Sequence, residues 1–96
     1  MNRTLLSAAL IERKALRYTP AGLPALDLGL KHESTLSEDG HTRQLSFEMR
    51  AVGLGQVTQP LSAIGLGQQA LFGGFLASAR NGRGLLFHIT SVEPLS

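Results

Sequence analysis

The sequence predicts a small all-β barrel of five strands with one short helix. Three observations predict it. Apolar and polar residues alternate with period two over most of the chain, Pro and Gly fall between the alternating runs, and only residues 56–64 carry apolar side chains at helical spacing. The 96 residues make one domain, residues 1–96, and a hydrophobic content of 43% is that of a globular chain rather than a disordered one.

Residues 4–18 read as the first strand and its rim. Leu5, Leu6, Leu10, Ile11 and Leu16 supply apolar bulk, and Ser7-Ala8-Ala9 is small enough to admit another backbone, as at a homodimer contact. Thr19-Pro20-Ala21-Gly22-Leu23-Pro24 is a turn, because Pro presets φ and Gly permits positive φ. In residues 25–33, Leu26, Leu28 and Leu30 face one way, and Asp27, Gly29 and Lys31 the other. Residues 34–41 are polar and read as a turn. In residues 42–54, Leu45, Phe47, Met49 and Ala51 are expected in the core, with Gln44, Ser46, Glu48 and Arg50 outside. These two runs form an antiparallel hairpin.

Within 56–64, Val57, Leu61 and Ile64 share one helical face. Pro60 is tolerated only in the first turn and Gly65 is expected as a left-handed cap, so this helix is short. Residues 70–79 form the next strand, and one of Phe72 and Phe75 must face outward. Asn81-Gly82 tolerates positive φ at both positions and signals a hairpin into residues 85–92. There Leu85, Phe87 and Ile89 oppose Leu86, His88 and Thr90. The order is β-β-β-α-β-β. A helix between the third and fourth of five strands is the order of an OB-fold, a Greek-key barrel. An SH3-like barrel and an open sheet fit that strand count and helix position less well.

The chemistry lies in the cations. Net charge is only +2, but its distribution is uneven. Residues 1–32 hold five cations and two acids, residues 33–48 one cation and four acids, and the remainder three cations and one acid. Arg13, Lys14 and Arg17 crowd one turn region, and Arg80 and Arg83 flank another. Long cationic side chains at strand ends suit a phosphate backbone. Glu33, Glu38 and Asp39 keep the intervening loop solvated. Tyr18, beside Arg17, is the expected base-stacking residue, and Phe47 and Phe87 are assigned to the core by parity.

Other chemistries find little support. The chain has no cysteine, hence no disulfide, thiolate nucleophile or cysteine-ligated zinc. His32, His41 and His88 are too scattered for a helix-borne metal pair. The repeated Gly-Leu-Gly-Gln at 53–56 and 65–68 lacks the Lys and the glycine spacing of a phosphate loop. No Gly-x-Ser-x-Gly elbow is present. No catalytic residue, metal or cofactor is expected. The apolar run Leu5–Ile11 is short, is followed at once by Glu12-Arg13-Lys14, and has no small-residue cleavage site. No stretch is long enough to span a bilayer, so the chain is expected in the cytoplasm with no membrane partner.

At Leu16-Arg17-Tyr18-Thr19-Pro20-Ala21-Gly22 the chain resembles the single-stranded-DNA-binding (SSB) family, which places a similar turn between its first two strands. Asn2-Arg3-Thr4-Leu5-Leu6-Ser7-Ala8 also looks SSB-like. The stretches Leu26-Asp27-Leu28-Gly29-Leu30-Lys31-His32-Glu33-Ser34, Arg43-Gln44 before Phe47-Glu48-Met49, Gly74-Phe75-Leu76-Ala77 and Leu86-Phe87-His88-Ile89 together resemble the primosomal replication protein N (PriB) family. That resemblance implies an OB-fold homodimer that binds single-stranded DNA. It further implies an accessory of the replication restart primosome that assists the PriA helicase and contacts SSB and, in some bacteria, DnaT. Family DNA contacts map onto Arg13, Lys14 and Arg17, onto Lys31, Arg43, Ser46 and Arg50, and onto Arg80 and Arg83. The chain departs from the pattern in lacking tryptophan and in the short, lysine-free loop Arg80-Asn81-Gly82-Arg83-Gly84. Those departures favour a second reading, a dimeric protein-protein adaptor in which DNA contact is incidental. RNA binding in the cold-shock manner fits less well, because its aromatic-rich strands are missing.

Overall fold

The computed structural model describes residues 1–95. The strands are β1 (Thr4–Arg13), β2 (Arg17–Tyr18), β3 (Pro24–Glu38), β4 (His41–Leu54), β5 (Gln69–Ser78) and β6 (Leu85–Pro94). A 3-10 turn, Gly55–Val57, leads into the helix α1, Thr58–Ser62. β2 is a two-residue flap on β3, and the other five strands close into a barrel. β1 pairs with β5 over Thr4–Ala9 and then with β3 over Ala9–Arg13. β3 pairs with β4 and β5 with β6, both antiparallel. The seam between β4 and β6 is parallel and short, Ala51–Gly53 against Phe87–Ile89. The expected five-stranded OB barrel is therefore what forms.

The core collects the inward residues of each strand: Ala8 and Leu10, then Leu26, Leu28 and Leu30, then Ala51, Phe72, Phe87 and Ile89. Leu61 from the helix and Ile64 just beyond it plug one end, with Val57 packed beside them. Pro60 is the third residue of the helix, inside its first turn as its missing N–H requires. The plug fits because residue 53 is glycine. A Cβ there would lie 2.4 Å from Leu61 Cδ1. Gly74 is more constrained. It sits at a bulge in β5, and a Cβ would lie 1.8 Å from the carbonyl oxygen of His88 on β6.

Four local expectations change. Residues 34–41 are not a polar turn, because both strands continue through them to a two-residue turn. Asp39 and Gly40 have φ of 49° and 77°, the geometry that suits the twist of a tight hairpin. This lengthens the arm to 15 and 14 residues and accounts for the molecule's longest dimension of 50 Å. Phe47 keeps core parity but is 42% exposed, because it sits on the part of the arm that projects beyond the barrel. Gly67, with φ 85°, takes the left-handed position expected of Gly65. Asn81 keeps negative φ while Gly82 adopts 73°, so the β5–β6 connection is a longer loop, closed by Ala79 N–H to Gly84 O at 3.1 Å. The Thr19–Leu23 turn forms as expected, with Gly22 N–H donating to Thr19 O at 2.8 Å.

The arm is fastened to the barrel by His32. Its Nδ1 lies 2.6 Å from the Ser7 carbonyl oxygen, which can only accept, so this nitrogen carries the proton. Nε2 meets Ser34 Oγ at 2.8 Å, and the ring lies 5.1 Å from that of Phe47.

Candidate nucleic-acid interface

Strand register places the outward residues in rows. Across β3, β4, β6 and β5 runs the row Asp27, Val52, His88, Phe75. Next to it Gly29 faces Arg50, then Lys31 faces Glu48, then Glu33 faces Ser46. β2 and its turn bring Arg17 and Lys14 to the Asp27 end of the first row.

Asp27 is the centre of the cationic group. Arg17 Nε and Nη2 hold its two carboxylate oxygens at 2.6 and 3.0 Å. Lys14 N–H donates to the Asp27 carbonyl at 3.0 Å. Hydrogen bonds from Arg17 hold the Asp27 carboxyl below its ordinary pKa against the opposing effect of partial burial, and the charges of Arg17, Lys14 and Arg50 add to the lowering. The same hydrogen bonds, then the Asp27 charge, raise the Arg17 guanidinium. Lys14, Arg17 and Arg50 thus share one corner of the sheet with Asp27, and Glu12 lies across Gly29 from Arg50.

The remaining candidates are dispersed. Arg13 turns away from solvent and donates from Nη1 to the Ile64 carbonyl, tying β1 to the end of the helix segment. Lys31 lies 3.8 Å from Glu33. Arg43, near the tip of the arm, is bound to Glu38 at 2.9 Å. Ser46 is exposed on the arm. Arg80 and Arg83 are exposed in the β5–β6 loop, where Asn81 Oδ1 accepts from Arg83 N–H at 2.9 Å. Among the described residues, Lys14, Arg50, Arg80 and Arg83 have no acid within ion-pairing distance. Tyr18 is 67% exposed beside Arg17.

Sequence reasoning missed two features. One is the Arg17–Asp27 pair, whose members lie ten residues apart across a turn. The other is the outward pair Phe75 and His88, whose rings stack at 4.8 Å and 8°. A signal for the second was present: residues 75 and 88 are equidistant from Asn81-Gly82, hence cross-strand partners.

No group of three or more His, Asp or Glu able to hold a metal occurs among the described residues, nor any helix long and apolar enough to cross a membrane. Comparison with known proteins agrees with the fold. The profile described as "Another single-strand binding protein family" matches residues 2–91. Replication restart protein PriB of Bordetella pertussis is 48% identical over 80 residues, covering 83% of this chain and 75% of that protein. The Yersinia pseudotuberculosis PriB is 33% identical, with 96% and 91% covered. The solved PriB structure from Ralstonia solanacearum superposes with a TM-score of 0.87 at 37% identity, covering 98% of this chain and 97% of that one. A single-stranded DNA binding protein from Thermus aquaticus gives 0.78 at 26% identity, over all of this chain and 50% of its own. Barrel closure, helix position and these similarities agree that the chain belongs to the PriB family of OB-fold proteins.

Proposed function

We propose that this protein holds single-stranded DNA without sequence preference as an accessory of replication restart, and performs no bond chemistry. The observation that carries the reading is the gathering of Lys14, Arg17 and Arg50 at one corner of the outer sheet face. Arg80 and Arg83 on the β5–β6 loop add a second cationic site. Backbone charge neutralisation supplies most of the affinity, so binding is salt-sensitive. Arg13, Lys31, Arg43 and Ser46 are weaker contributors, since three of these four are engaged within the protein or lie beside acids. The restart role, stimulation of a PriA helicase, contacts with SSB and DnaT, and cytoplasmic location are inferred from family membership. Dimerisation belongs to the same inference. Ala8 is a core residue, so only Ser7 and Ala9 of the small stretch lie on the outer side of β1.

Titration of labelled oligo-dT across a salt series, with an RNA oligonucleotide of matched sequence as competitor, tests the reading. Log affinity should fall linearly with log salt, by roughly 0.7 per phosphate neutralised. Absence of binding, or affinity indifferent to salt, overturns it.

The pairing of Arg17 and Arg43 with acids favours one second reading, a protein-protein adaptor with a light hold on DNA. Helicase stimulation decides between them. An adaptor keeps full stimulation when Arg80 and Arg83 are neutralised, whereas a DNA-holding accessory loses it in step with affinity.

A further inference from the structure

Phe75 and His88 are the only pair of rings stacked on the outer sheet face among the described residues. Both belong to an antiparallel pair whose inward neighbours, Phe72 and Phe87, fill the core, so neither is needed there. Phe75 remains 39% exposed. Beside the rings lies a cleft of about 420 Å³, a size suited to a small planar ligand. Val52, Leu54 and Val57 give it apolar lining, and Gln56 and Thr90 place polar groups at its edge.

Position decides what would fill it. His88 is the neighbour of Val52, which is the neighbour of Asp27. At a strand spacing of about 4.8 Å, the ring pair starts roughly 10 Å from the backbone carrying the Arg17–Asp27 pair. In the other direction β5 and β6 lead straight to the loop carrying Arg80 and Arg83. An aromatic surface between two cationic sites matches a strand whose phosphates alternate with flat bases.

We infer that the Phe75–His88 stack and its cleft form a seat for one unpaired nucleobase, whose face rests on the rings and whose edge meets Gln56 and Thr90. The seat deepens the single-strand-binding reading and rests on it. It gives the protein a second stacking platform beside the exposed Tyr18. Stacking on an aromatic side chain is sequence-tolerant, because every base offers a π face.

The test compares oligo-dT with an abasic oligonucleotide of the same length, using wild type, Phe75→Ala and Phe75→Leu. Both variants should bind oligo-dT roughly tenfold more weakly, with an unchanged salt slope, and bind the abasic strand as wild type does. Photocrosslinking of wild-type protein to a 5-iodouracil oligonucleotide should label the peptide holding Phe75 or His88, which guards against a variant that folds poorly. Equal losses on both strands, full affinity in Phe75→Leu, or crosslinks confined to other peptides overturn the seat. Unaltered DNA affinity with lost helicase stimulation also overturns it, and assigns the cleft to a protein partner. If wild type binds neither strand, the single-strand-binding reading itself fails, a result distinct from all of these.

Discussion

The Arg17 guanidinium clasps both carboxylate oxygens of Asp27, Nε to Oδ2 at 2.6 Å and Nη2 to Oδ1 at 3.0 Å. A carboxylate in that fork occupies the two parallel N–H donors that a phosphate would take. Under the proposed function, Asp27 competes with a DNA phosphate for Arg17. The pair is only partly covered, with 50% of the Arg17 and 33% of the Asp27 side chain exposed, so exchange of one anion for the other meets modest resistance.

Asp27→Asn should tighten single-stranded DNA binding. It removes a negative charge from beside Lys14 and Arg50 and releases the fork of Arg17. The affinity gain is expected to be roughly threefold or more at low salt, and the salt slope should steepen by about 0.7, one further phosphate neutralised. Fluorescence anisotropy over a salt series measures both. An unchanged slope means that Arg17 does not meet the strand.

The same pair ties stability to pH. The folded-state pKa of Asp27 is lowered, so its ionised form is favoured by folding. Its contribution is present above the ordinary aspartate value and is lost as pH falls through the lower folded value. Wild type should exceed Asp27→Asn in stability at neutral pH, and that advantage should shrink on acidification below about pH 4. Urea unfolding of both proteins at a series of pH values checks the sign. A gap that widens in acid contradicts the assignment.

Neutralising the second cationic site isolates its electrostatic share. Arg80→Ala with Arg83→Ala should weaken binding and flatten the salt slope by about 1.4, two phosphates at about 0.7 each. Both side chains are exposed and have no acidic partner, so the melting temperature should stay within a few degrees of wild type. A lowered melting temperature with an unaltered slope would mark them as structural.

Gly74→Ala should be among the more damaging small changes. The added methyl would collide with the His88 carbonyl, a backbone atom that cannot step aside. Overpacking of this kind costs about 1–3 kcal/mol, or a fall of roughly 10 °C in melting temperature for a domain of this size. Thermal unfolding by circular dichroism reads it. A melting temperature equal to wild type would show that the bulge opens freely.

The barrel was legible because its strands obey parity. Leu26, Leu28, Leu30, Phe87 and Ile89 are all buried, as alternation demands. Phe47 broke the rule for a reason that alternation does not carry. Parity assigns a face, and only the length of the arm decides whether that face still has a barrel behind it. The arm's length was readable in Asp39-Gly40, a tight-turn pair hidden within a polar stretch. The fork on Asp27 was not readable, since it depends on how the Thr19–Leu23 turn folds β2 over β3. Arg13 resembled its neighbours in sequence, yet it is drawn inward by the Ile64 carbonyl at the end of the helix segment.

The barrel closes through strands that differ widely in sequence separation. β3 with β4, and β5 with β6, are hairpins that can zip locally within microseconds. Closure waits on β1, which must pair with β3 and with the distant β5, and on a seam of only three residue pairs between β4 and β6. Such remote pairings place folding on the millisecond-to-second scale of all-β domains, with the β1–β5 pairing, Thr4 to Gly74 at its far end, forming late. Until β1 and β5 pair, both strands keep an unpaired edge, so the nascent protein is most prone to aggregate after β5 and β6 are made and before β1 has found β5.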